Sequence, residues 1–126
     1  MGVCLGHQAV GHYFGAQVKK GEHPMHGKIT GIHHGGTGLF AGLPQEFRAT
    51  RYHSLVVDGT HFPGELTVDA VSDEGVIMGI SHKVYPVYGV QFHPEAVLTE
   101  CGLELLENFI AMCREWREDH AYHQSA

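Results

Sequence analysis

Two short stretches, one at each end of the chain, hold the residues that can do chemistry. Near the start, Gly2-Val3-Cys4-Leu5-Gly6 has the Gly-x-Cys-x-Gly form of a nucleophile elbow, with cysteine in place of serine. Such an elbow ends a strand, turns sharply and starts a helix, leaving the nucleophile at a strained tip. Gly2 and Gly6 are expected there because a β-carbon would meet the neighbouring strand or helix. At the N-terminus of a helix starting near Leu5, Cys4 is expected to favour the thiolate, and the Leu5 N–H to donate to an oxyanion. Toward the other end, His93-Pro94-Glu95 follows the apolar run Val87–Phe92. A cysteine nucleophile needs a base to take its proton and return it to a leaving amine. That base needs an acceptor on its other ring nitrogen, and Glu95 stands two residues on, across a rigid proline. Taken singly, each motif also fits a plain turn, one with a buried cysteine and the other ending a strand.

The elements around these residues read as a single mixed α/β domain. Met1–Val3 is the end of a strand. Leu5–Phe14 is a helix with Leu5, Ala9, His12 and Tyr13 near one face, and Gly15 ends it. Ala16–Lys19 is a short strand, and residues 21–27 form a polar loop around Gly21, Pro24 and Gly27. Lys28–His33 is a strand, Gly35–Gly38 a turn and Leu39–Pro44 a helical turn. Phe47–Tyr52 and Leu55–Val57 are short strands on either side of His53-Ser54. Leu66–Val71 and Val76–Ser81 form an antiparallel hairpin turned by Ser72–Gly75. Val87–Phe92, bounded by prolines, is a buried strand, so Cys4 and His93 both stand at carboxyl ends of strands, where reactive groups gather in open α/β sheets. A last helix spans about Glu100–Arg117, with Thr99 as N-cap and a stripe of Leu103, Leu106, Ile110 and Cys113 extended by Phe109 and Trp116. Residues 118–126 are expected to be a frayed polar tail.

Composition narrows the function. The 126 residues suit one domain, and 43% hydrophobic content suffices for a core. A formal net charge of −6 argues against a nucleic-acid surface and offers no basic patch for a membrane. No run reaches transmembrane length, and Met1 leads directly into Gly2 without a signal segment, so the expectation is cytoplasmic. Cys4, Cys101 and Cys113 are odd in number and widely spaced, which argues against a disulfide framework; the latter two read as small buried apolar residues. Twelve histidines raise the question of zinc. No Cys-x-x-Cys or His-Glu-x-x-His pattern appears, and neither a metal nor a cofactor is expected.

Together the two stretches resemble the class I glutamine amidotransferases. Gly2-Val3-Cys4-Leu5-Gly6-His7-Gln8 matches their nucleophile segment, and Gly89-Val90-Gln91-Phe92-His93-Pro94-Glu95 their base segment. Within the family the sequence is most similar to the glutaminase component of anthranilate synthase and aminodeoxychorismate synthase. The stretches that carry this are Met25–Lys28, Gly38–Pro44, Arg51–Leu55 and Leu98–Glu100. The resemblance implies Cys4 as nucleophile, His93 as base and Glu95 as its orienting partner. It implies Gln8 as a contact to bound L-glutamine, with Ser54 and Leu55 holding its amino-acid end through backbone groups. The implied reaction is glutamine to glutamate and ammonia through a glutamyl thioester, with ammonia passed to component I of a chorismate-using synthase. Ala96 departs from the serine common in this branch. The implied fold is a partial flavodoxin-like amidotransferase fold, a parallel sheet with an antiparallel portion. The family's N-terminal strands and helices are missing, among them a glycine-rich loop carrying the second oxyanion donor. This leaves Val87–Phe92 as an apolar edge, which is expected to recruit a second copy into a homodimer. The competing expectation is a non-catalytic, self-associating module that retains the motif.

Overall fold

The computed structural model describes residues 1–124. In chain order the elements are β1 (Gly2–Val3), α1 (Leu5–Tyr13), β2 (Val18–His34), a 3-10 turn (Gly38–Phe40), β3 (Glu46–Val57), β4 (Leu66–Ser72), β5 (Ile77–His82), β6 (Tyr88–Val90) and α2 (Gly102–Gln124). The six strands form one sheet in the order β1-β6-β5-β4-β2-β3. Among the described residues only β1 and β6 run parallel, pairing Gly2 with Gly89 and Val3 with Val90. The other neighbours are antiparallel. The architecture is α/β with a mixed sheet, as expected, but its antiparallel portion predominates.

The β4–β5 hairpin forms where expected. Gly75 adopts φ 83° in its turn, and its N–H donates to the Ser72 carbonyl at 3.0 Å. The expected loop at 21–27 is instead strand. β2 is a single strand whose ladder with β3 is interrupted by register shifts between Lys20 and Met25 and between His26 and Lys28. Gly27, at φ 72°, sits at the second shift. Over this stretch β2 pairs with β3 alone, because β4 joins it only at Ile32–His34. Pro24, which has no N–H, falls within the first shift, without a β3 register partner, and this is where a strand tolerates proline. The two short strands expected around His53-Ser54 are likewise one strand, β3.

Two apolar clusters hold the layers together. The larger joins Ile32, Phe40, Phe47, Met78, Val90, Phe92 and Leu105; the smaller joins Ala16, Val57, Leu66, Ile77 and Ile80. Helix α2 reaches the first through Leu105, Phe109 and Met112, while Val10 and Phe14 of α1 and its end pack on the second. The stripe expected on α2 is therefore displaced: Leu103 and Ile110 are exposed, and the i, i+4, i+7 series from Leu105 faces the core. On α1, Leu5 and Tyr13 of the expected face point to solvent, whereas His7, Gln8 and Gly11 are buried.

Helix α2 continues to Gln124, past the Arg117 expected as its end. Of the expected tail, 118–124 is helical and 125–126 lie outside the described residues. Thr99 is not the N-cap. Its hydroxyl donates to the His93 carbonyl at 2.7 Å and accepts from the Thr50 N–H at 3.0 Å. The helix begins three residues later, behind Cys101 at φ 58°. Nor is Val87–Phe92 an open edge, since β6 lies between β1 and β5. The motive for a homodimer through that edge is absent from this fold.

Candidate active site

Cys4 stands between β1 and α1 at φ 55°, ψ −102°, a conformation that non-glycine residues rarely adopt. Two backbone bonds fix it. Its N–H donates to the Val90 carbonyl of β6 at 2.9 Å, and its carbonyl accepts from the Gln8 N–H at 3.1 Å. Gly2 is required by the crossing behind it. A Cβ there would lie 2.3 Å from the Gly6 carbonyl carbon and 2.8 Å from the His7 nitrogen. Gly6 is not constrained in the same way, because a Cβ at that position meets nothing within 4 Å. The elbow is closed from the strand side only.

His93 and Glu95 follow β6 and are held by β3 and by the segment before α2. The His93 N–H donates to the Thr50 carbonyl at 3.0 Å, and its carbonyl accepts from Thr99. Its Nδ1 lies 3.1 Å from Oε1 and 3.2 Å from Oε2 of Glu95. A carboxylate only accepts, so Nδ1 carries the proton and Nε2 is the basic nitrogen. Nε2 is buried and has no hydrogen-bond partner among the described residues. The Tyr52 ring meets the imidazole edge to face, with centroids 5.7 Å apart. Gly102, opening α2, lies hard against Pro94; a Cβ there would stand 1.9 Å from the Pro94 carbonyl oxygen.

The thiol is not bonded to the base in this conformation. Sγ donates to the Tyr52 carbonyl at 3.3 Å. The expected preference for thiolate is also overturned. Burial pushes the Cys4 thiol up, and the Glu95 carboxylate adds to this. The Leu5 N–H and the Gln91 amide act in the other direction without prevailing. Desolvation of the charged form outweighs the Leu5 N–H and holds the thiol above its ordinary range.

Of the residues expected to bind substrate, Leu5 places its N–H against Sγ, and Gln8 and Leu55 are joined. The Gln8 Nε2 donates to the Leu55 carbonyl at 3.0 Å and to Gln91 Oε1 at 3.3 Å, leaving the Gln8 Oε1 as the end that can accept from a ligand. Ser54 lies beside Leu55 on exposed β3 backbone.

Four residues with a part in the site escaped the sequence reading. Gln91 lies inside the base segment, fully buried. His53 donates from Nδ1 to the Leu55 carbonyl at 3.0 Å and accepts at Nε2 from Arg51 Nε at 3.0 Å. Burial, and then the Arg51 guanidinium, lower its pKa and keep it neutral. Arg51 is buried and pairs with Glu74 on the β4–β5 turn. The trace in the sequence is that Gln91, Arg51 and His53 fall within stretches that carry the resemblance. A cavity of about 430 Å³ lies by Arg51, Glu74 and Lys20, and neither Cys4 nor His93 lines it. Among the described residues, His33, Glu46 and Asp73 alone group three metal-type ligand atoms, all within 4.8 Å of one another. They form a surface ion-pair cluster in which Asp73 raises the His33 pKa.

Residues 1–113 match the family model described as glutamine amidotransferase class-I, and the chain belongs to that family. It is 53% identical over 112 residues to anthranilate synthase component 2 of Methanothermobacter marburgensis, an alignment that takes in 89% of this chain and 57% of that protein. It is 49% identical over 114 residues to anthranilate synthase component 2 of Azospirillum brasilense, covering 90% of this chain and 58% of that one. Among solved structures, a Thermoplasma acidophilum protein described as a GMP synthase subunit superposes with a TM-score of 0.88 at 34% identity, over 95% of this chain and 59% of that one. The chain thus spans somewhat over half the length of these relatives.

Proposed function

We propose that this chain carries the nucleophile and base of a glutaminase that hydrolyses L-glutamine to glutamate and ammonia. His93 Nε2 takes the Cys4 proton, and Sγ attacks the side-chain amide carbon. The Leu5 N–H faces the developing oxyanion. The proton on Nε2 passes to the leaving nitrogen, which departs as ammonia and leaves a glutamyl thioester. Water, activated by the same nitrogen, releases glutamate and restores the thiol. Glu95 keeps the proton on Nδ1 throughout and stabilises the imidazolium that forms between steps. The observation that carries this reading is a cysteine at φ 55° on a helix N-terminus, in the same site as a histidine whose tautomer Glu95 fixes.

The relatives named anthranilate synthase component 2 support an acceptor for the ammonia, component I of a chorismate-using synthase. Apolar side chains around the site fit such a partner: Leu5 beside the nucleophile, Tyr52 against His93, and Val97 and Leu98 just after Glu95 are all exposed. The test is glutamate release from L-glutamine with component I present. Cys4→Ser should abolish release without altering the circular dichroism spectrum. Undiminished release by the variant would sink the assignment of Cys4.

A further inference from the structure

A chain of hydrogen bonds runs from the β4–β5 turn to the nucleophile, and its chemistry fixes the direction of every donor. Arg51 can only donate, so His53 Nε2 accepts and Nδ1 carries the proton to the Leu55 carbonyl. A backbone carbonyl can only accept, so the Gln8 atom 3.0 Å from it is the NH2 nitrogen. The other hydrogen of that nitrogen meets Gln91 at 3.3 Å, which makes the Gln91 atom there Oε1. The remaining end of the Gln91 amide is then a donor, and it lies 3.7 Å from Cys4 Sγ. Gln91 is fully buried and its N–H is held by the Met78 carbonyl at 2.9 Å, so the side chain has no solvent to turn toward.

We propose that Gln91 is an auxiliary donor to the nucleophile: its amide, locked by Gln8, stabilises the Cys4 thiolate once His93 has removed the proton. This rests on the reading of Cys4 as nucleophile and adds a residue outside the triad. The need for it follows from the surroundings of the sulfur. Burial and the Glu95 carboxylate both oppose the anion. His93 faces the site from the same loop as Glu95, and Tyr52 of β3 offers only a carbonyl. The Leu5 N–H also has to serve the oxyanion. Gln91 is thus the side-chain donor on hand that is committed to sulfur.

The thiol can be titrated on the intact chain without any turnover. The rate of iodoacetamide alkylation is followed against pH and read peptide by peptide, with Cys101 as internal reference. Gln91→Met keeps the volume and removes the donor, and is expected to raise the Cys4 pKa by about one unit, a roughly tenfold slower reaction at fixed pH below it. Gln91→Glu places an acceptor at sulfur and is expected to raise it further. Gln8→Met unlocks the Gln91 amide and is expected to shift it in the same direction. Cys101 should titrate as in the parent throughout. If Gln91→Met does not fold, Gln91→Glu decides alone. A Cys4 titration that Gln91→Met and Gln91→Glu leave unchanged, or lower, overturns the proposal. That result would leave the glutaminase reading standing, since Cys4→Ser tests it separately.

Discussion

Both oxygens of Glu95 lie within 3.2 Å of His93 Nδ1, so in the proposed mechanism the carboxylate aims the base without itself taking the proton. The two residues should then respond differently to substitution. His93→Ala removes proton transfer and is expected to lower kcat on the order of a thousandfold or more. Glu95→Gln keeps an acceptor at Nδ1 and loses the charge, so its loss should be smaller. Steady-state glutamate release decides between them, and an equal or larger loss at Glu95 would give that residue another role. The pairing of His93 with Glu95 was legible because the motif is local and its spacing sets the contact. The upward shift of the Cys4 thiol was not. A helix N-terminus can be read from five residues, but the burial that raises the thiol cannot, and its neighbours Tyr52 and Gln91 are remote in sequence.

Helix α1 is seated on β6 by His7, whose ring is fully buried against Gly89; a Cβ there would come within 2.9 Å of Nδ1. Neither ring nitrogen makes a hydrogen bond of good geometry among the described residues, and burial lowers the His7 pKa to about 4, a weak contact with the Gly89 backbone offsetting this only in part. Between that value and the ordinary 6.5 the unfolded chain binds the extra proton, so stability rises with pH across this window and falls as pH drops through it. Between pH 7 and pH 4 the expected loss from this group is about 3 kcal/mol. Urea unfolding at pH 7 and pH 4.5 checks it: a folded His7→Leu variant should lose markedly less stability than the parent between the two. An equal loss would place the acid sensitivity elsewhere. Gly21, Pro24 and Gly27 have the composition of a loop, and they lie instead on the bulged arm of β2 because only β3 flanks it there. Likewise the face of α2 that matters was set by where the 3-10 turn and Phe92 lie. Asn108 shows that setting directly, donating to the Leu39 and Ala41 carbonyls at 2.8 and 2.9 Å.

At the level of the whole molecule, the sheet ends at β1, two residues long, rather than at an apolar strand beside Val87–Phe92. Some of the exposed apolar side chains form a collar around the site. Val97 is 98% exposed and Leu98 63%. If this collar receives the synthase component, a Val97→Asp, Leu98→Ser double variant should weaken that association by at least about tenfold. Calorimetric titration measures it, and unchanged affinity would move the interface elsewhere. The claim on which everything else depends is that Cys4 is a nucleophile in a site shaped for glutamine. A chloroketone analogue of glutamine, followed by peptide mass spectrometry, tests this most directly. The account predicts one adduct, on Cys4, that L-glutamine suppresses and Cys4→Ser removes. Labelling that spares Cys4, or that a large excess of glutamine leaves undiminished, would contradict it.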